Sequence, residues 1–210
     1  GAPSLALHAV SFAAARIGDL PLDRQCDGAA TRSVTGDGNV VREFVSISAG
    51  TAQDRGVTTI GDGNWLLAYT HVAHDCVVGN GTTFSNNAQL AGHVVVGDHA
   101  VLGGFVGVHQ FCRIGEHAMV AAGSIVLQNV PPYVTAAGYP AKPLGTNSEG
   151  LRRRGFSAAD IAAIKPAYRL LYRTGVPLNE ALAHNATGGG PFAVLESAAA
   201  VLVQPGPGML

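Results

Sequence analysis

The chain has 210 residues, is 47% hydrophobic and only 13% charged, and carries a formal charge of −1. That supports one sizeable core with a smaller appendage, and the near-zero charge offers no basic field for nucleic acid. No apolar run reaches the length of a membrane span, so no stable membrane insertion is expected; the alanine-rich stretch 5–17 lacks a basic flank and is interrupted by His8 and Arg16, which argues against a secretion signal.

Residues 1–30 show no regular period and read as an irregular leader. A six-residue spacing first appears at Thr35, Val41 and Ile47, then breaks, because thirteen residues separate Ile47 from Ile60. The polar interval 50–56 reads as a loop thrust out of the body, the kind of segment that carries site residues. From Ile60 the period holds without a slip through Leu66, Val72, Val78, Phe84, Leu90, Val96, Leu102, Val108, Ile114, Val120 and Val126. Chance would give such a run on the order of once in ten thousand at a given phase. Two places before each hit stands a smaller residue, and a glycine followed by an acidic or amide residue returns every eighteen residues at Gly61, Gly79, Gly97 and Gly115.

A period of six fits neither a helix nor a lone amphipathic strand; it defines hexapeptide repeats that build an all-β parallel β-helix, here over 31–130. Three six-residue faces close one triangular coil, with the aliphatic residue inside and glycine at a corner, where it tolerates backbone angles closed to other residues. The repeat ends at Val130-Pro131-Pro132, since proline cannot donate to a ladder. A connecting segment, 131–150, leads to a helical region, 151–182. There Ser157 and Asp160 form a capping-box variant ahead of the stripe Ile161, Ile164, Tyr168, Leu171 and Tyr172, and Pro166 is expected to kink or split the helix. The Gly/Ala/Pro-rich residues 183–210 read as a frayed tail. Cys76 and Cys112 stand two coils apart, roughly 9–10 Å, beyond disulfide reach; buried thiols in a reducing cytoplasm are the simplest account.

The eighteen-residue coil also predicts which residues stack. His74, Gly92 and Gln110 share one column, Asp75, His93 and Phe111 the next, and Ala73, Ala91 and His109 the one before, with His71 three residues ahead of His74. An imidazole suits proton removal near neutrality, Asp75 could fix its tautomer, and Gly92 would let a carbonyl reach a bare backbone N–H. With no serine or cysteine nucleophile in the group, direct attack by a substrate hydroxyl is the natural chemistry. His99 and His117, on another corner with Gly63 and Gly81, read as structural.

The blocks His71-Val72-Ala73-His74-Asp75-Cys76, Asn87 to Val94, and Val108-His109-Gln110-Phe111 resemble the bacterial UDP-N-acetylglucosamine 3-O-acyltransferase family, as does the segment from Asn147 to Ser157. The resemblance implies a left-handed β-helix, a homotrimer with sites between subunits, and transfer of an (R)-3-hydroxyacyl chain from acyl carrier protein to the 3-hydroxyl of UDP-N-acetylglucosamine, the first step of lipid A synthesis. On this resemblance His74 is the general base supported by Asp75, the Gly92 N–H steadies the oxyanion, and His71, His93, His109 and Gln110 line the cleft. Asn147, Glu149, Arg153 and Arg154 would meet the nucleotide sugar, guanidinium groups being apt for phosphates. No cofactor or metal is called for. The sequence departs from the family where Ser48-Ala49 precedes Gly50-Thr51, a place that commonly holds a histidine, and Gln25 stands where a lysine is usual. Competing readings are an acyl-CoA-dependent acetyltransferase, suggested by Tyr139-Pro140-Ala141-Lys142-Pro143, a zinc hydrase using the clustered histidines, and a catalytically impaired scaffold.

Overall fold

In the computed structural model the six-residue period becomes a coil with three parallel faces. The structure describes residues 4–5, 10–23, 30–176 and 180. The first face stacks Ser4–Leu5, Arg32–Thr35, Val57–Ile60, Val77–Val78, Val95–Val96 and Arg113–Ile114. The second stacks Val10–Ser11, Val40–Val41, Trp65–Leu66, Thr83–Phe84, Val101–Leu102 and Met119–Val120. The third stacks Arg16–Asp19, Ser46–Ser48, His71–Val72, Gln89–Leu90, Gly107–Val108 and Ile125–Val126. All twelve aliphatic and aromatic hits from Ile60 to Val126 point inward, none more than 4% exposed, and form one continuous core. The smaller residues two places earlier, from Thr58 to Ser124, are also buried, which is why the narrowing corners exclude bulk there.

The eighteen-residue glycines have a different cause from the expected one. The left-handed backbone falls on the second residue of each corner, including Asp75 (φ 58°), His93 (63°), Phe111 (65°), Tyr69 (63°) and Phe105 (60°). Gly61 and Gly79 are not among those positive-φ residues. They are small because the next coil comes close: Asn80 Oδ1 accepts from Asp62 N (2.8 Å) and Asp98 Oδ1 from Asn80 N (2.7 Å). A Cβ on Gly61 would stand 2.5 Å from that Asn80 oxygen. Glycine and its acidic or amide neighbour are thus one device, a rail of side-chain oxygens capping backbone N–H groups up the corner.

Three boundaries differ from the sequence reading. Residues 4–19, expected to be irregular, carry a strand of each face: Ser4 pairs with Val34, Val10 with Val40 and Ile17 with Ile47. The period was hidden because thirty residues separate Ser4 from its partner and twenty-five separate Val34 from Thr59, against the eighteen between Thr59 and Val77. Extra chain in the first coils destroys the spacing without destroying the stacking. The second difference lies after Val130, where the first face closes with the bridge Ile114–Val130 but the second continues. Val134–Gly138 adds to it in parallel and Ala141–Thr146 folds back antiparallel, so the connecting segment is largely a hairpin.

The third concerns the helices, which begin earlier than residue 151. Helix α1 spans Ser148–Arg153, capped by Asn147, whose side chain accepts from Gly150 N. Helix α2 spans Ala158–Arg173 and starts at the expected capping box of Ser157 and Asp160. It runs as one helix through Pro166 rather than splitting. An interior proline costs roughly 3 kcal/mol, and the buried stripe Ile161, Ile164 and Ala167, with Tyr168 and Tyr172 packed on the β-helix core, spans both sides of it and offsets that loss. The tail expected at 183–210 lies outside the described residues, as do Gln25 and Cys26.

Candidate active site

The corner between the third and first faces brings the predicted column together. Its backbone is laced vertically: His93 N donates to His74 O (3.0 Å) and Phe111 N to Gly92 O (3.2 Å). The rings stack in turn, His74 edge-on to His93 with centroids 5.0 Å apart, and His93 flat on Phe111 at 4.6 Å. His109 and Gln110 stand exposed on the same corner, with Gln110 O beside His109 Nδ1 at 3.1 Å. His71 sits on the third face, its Nδ1 2.7 Å from Ser46 Oγ. Burial holds its pKa below the ordinary imidazole range, against the pull of the Ser46 hydrogen bond and with help from His74.

At the centre His74 Nδ1 lies 3.0 Å from Asp75 Oδ2, and the Asp75 side chain is fully buried. That carboxylate also accepts from Thr51 N (3.1 and 3.0 Å to its two oxygens) and Thr51 Oγ1 (2.6 Å). Burial pushes its pKa up, but the Thr51 hydroxyl, His74 and the Thr51 amide together outweigh burial and bring it below the usual carboxylate value. Asp75 therefore stays ionised, occupies Nδ1 and leaves His74 Nε2 as the nitrogen open to a substrate.

Gly92 does something the sequence did not disclose. A Cβ there would lie 2.5 Å from His74 Cε1, 2.7 Å from Nε2 and 3.2 Å from Nδ1. The imidazole lies in the space a side chain would fill. Gly92→Ala is expected to swing the ring away and lower kcat about 10²-fold, the scale of a 1 Å misplacement, while the melting temperature stays near that of the parent because a side-chain end can yield. Alanine keeps the backbone N–H, so a variant with unchanged kcat would show that ring placement does not depend on this glycine.

The loop read as a site-bearing segment supplies three residues that the sequence did not assign to the site. Thr51 grips Asp75; Arg55 Nη2 donates to Asp75 O (2.7 Å); Asp54 Oδ2 stands 2.8 Å from His93 Nδ1. Their only signal was the break in period. Ser48 and Ala49, just ahead of this loop, are buried at 3% and 4%. His74, Asp75 and His93 place ligand atoms within 4.8 Å of one another, as a metal site would. The Nδ1 atoms of His74 and His93 are each met by a carboxylate, Asp75 and Asp54, which leaves both Nε2 atoms without a hydrogen-bond partner among the described residues.

Asn147, Glu149, Arg153 and Arg154 do not join this corner of the chain. They belong to the corner between the first and second faces, where His99 and His117 stack at 4.8 Å. Asn147 Nδ2 donates to His117 O (2.9 Å), and Arg154 meets His99 Nδ1 (2.9 Å) and Gly81 O (3.0 Å). Glu149 pairs with Arg152 and Arg153. His117 also packs on Tyr133 and Phe156.

A parallel coil of six-residue repeats with an oriented imidazole on one corner sets the chain in the hexapeptide-repeat class. The bacterial transferase hexapeptide pattern matches residues 58–92, and the pattern described as UDP-N-acetylglucosamine O-acyltransferase, domain 2, matches residues 129–199. An acyl-[acyl-carrier-protein]–UDP-N-acetylglucosamine O-acyltransferase of Thiobacillus denitrificans is 56% identical over 167 residues, covering 80% of this chain and 65% of the relative. The Francisella novicida UDP-N-acetylglucosamine acyltransferase structure superposes with a TM-score of 0.92 at 38% identity, covering 97% of this chain and 75% of that one; the Acinetobacter baumannii structure gives 0.85 at 37%. The chain belongs to the UDP-N-acetylglucosamine O-acyltransferase family, and its coil is a left-handed parallel β-helix. It spans about two thirds of the length of the curated relatives it matches, 65% in the first two.

Proposed function

We propose that the protein transfers an (R)-3-hydroxyacyl chain from acyl carrier protein to the 3-hydroxyl of UDP-N-acetylglucosamine, the opening step of lipid A synthesis. The observation that carries this is the His74–Asp75 pair with its ring laid over Gly92. The free Nε2 of His74 takes the proton of the sugar hydroxyl as its oxygen attacks the thioester carbonyl. The tetrahedral oxyanion is steadied by the Gly92 N–H, which no described backbone group engages. On collapse the carbon–sulfur bond breaks, and the imidazolium returns its proton to the departing thiolate. Asp75 stabilises the imidazolium between the two transfers.

His71, His93, His109 and Gln110 line the cleft around the reacting atoms. Asn147, Glu149, Arg153 and Arg154 engage the nucleotide from a neighbouring subunit, because they sit on a different corner of their own coil. A homotrimer packed along its coils completes three such clefts. The reaction needs no cofactor, and it places the enzyme in the cytoplasm where acyl carrier protein is found. The competing reading is acyl-CoA-dependent transfer, so donor choice is the discriminating measurement. With UDP-N-acetylglucosamine as acceptor, 3-hydroxyacyl carrier protein should support turnover at least tenfold faster than the matching CoA thioester. Equal rates, or faster transfer from CoA, would move the chain to the acyl-CoA class.

A further inference from the structure

The loop that anchors Asp75 also reaches a second imidazole. Its turn is closed by Asp54 N and Gly56 N donating to Thr51 O (3.3 and 3.0 Å), so Thr51 and Asp54 are held at a fixed offset. From that turn Thr51 grips Asp75 while Asp54 Oδ2 meets His93 Nδ1 at 2.8 Å. His93 is also confined on its other sides, by the flat face of Phe111 and by the edge contact with His74. Arg55 and Arg113 line the adjoining pocket with Asp54, Asp75 and His93. The two corner histidines are therefore served by one turn, each through a carboxylate at its Nδ1.

We propose that Asp54 is a positioning residue for His93: it holds the ring as the Nδ1–H tautomer and reserves Nε2 for the bound sugar nucleotide. The inference rests on the transferase reading for the identity of that ligand, and on geometry alone for the tautomer. As a stabilising contact the pair contributes little, since the side chains are 21% and 39% exposed and such pairs are weak in water. What Asp54 contributes is a fixed hydrogen-bond acceptor, which decides which imidazole nitrogen carries the proton.

The test uses the full chain with histidines labelled with nitrogen-15, near pH 8, above the ordinary imidazole range. Long-range nitrogen–proton spectra of the parent should show His93 as the Nδ1–H tautomer, and Asp54→Ala should shift it toward Nε2–H while the melting temperature stays within a few degrees. Calorimetric titration with UDP-N-acetylglucosamine should show about tenfold weaker binding for Asp54→Ala, and Asp54→Glu should recover most of that loss. A His93 signal that stays Nδ1–H in Asp54→Ala overturns the proposal, and so does unchanged affinity beside a shifted tautomer. A parent that does not bind the sugar nucleotide removes the transferase reading instead, and the tautomer measurement then decides the role of Asp54 unaided.

Discussion

His74→Ala is expected to lower kcat for acyl transfer by about 10²–10⁴-fold, the usual effect of deleting a general base, with little change in the coil. The side chain is 17% exposed and projects from a corner rather than into the core, so its loss opens no apolar cavity. The Thr51 bonds to Asp75 remain, and the aliphatic stack beneath is untouched. The effect should appear in kcat more than in KM, because the missing interaction belongs to the moving proton. Steady-state kinetics beside a thermal melt check both halves. A variant that matches the parent in kcat would remove His74 from its assigned role.

Asp75→Asn should damage both fold and chemistry. The wild-type carboxylate is buried and accepts from Thr51 N, Thr51 Oγ1 and the imidazole, whereas asparagine brings a donor group to a site built of donors. Hydrogen bonds to charged groups contribute about 1.5–3 kcal/mol; a net loss near 2 kcal/mol would lower the melting temperature by roughly 4–8 °C for a chain of this size. The pH dependence has a definite sign. Asp75 is held below its unfolded value of about 3.9, so its stabilisation is complete above that pH and is lost as pH falls through the lowered folded value. Urea midpoints between about pH 3 and pH 7 should therefore fall more steeply on acidification in the parent than in Asp75→Asn. Parallel curves would mean that this carboxylate is not a source of acid sensitivity.

The fold was largely legible because one physical rule, an inward aliphatic every six residues, repeats without exception from Ile60 to Val126. The same rule placed His74, Gly92 and Gln110 in one column, since stacking turns sequence distance into height. It failed wherever the chain leaves the period. The first coil went unseen because extra residues stretch its spacing and because Ser11 stands between Leu5 and Ile17 at the position equivalent to Val41. The anchors of the site were hidden for a related reason: Thr51 lies twenty-four residues from Asp75, and Asp54 thirty-nine from His93, neither a multiple of the repeat. Such contacts depend on how a loop folds back, which spacing does not encode. The spacing marks the glycine rail but not its cause, which lies in the oxygen of the following coil rather than in the glycine's own backbone angles.

In a stack whose members touch only their immediate neighbours, cooperativity is local, and unravelling advances from the ends one layer at a time. Residues 71–75, 89–93 and 107–111 have described layers on both sides, those of Ser46–Ser48 and Arg16–Asp19 below and that of Ile125–Val126 with the hairpin above. Opening of one flanking layer would thus leave the proposed site aligned, because each layer leans only on its immediate neighbours.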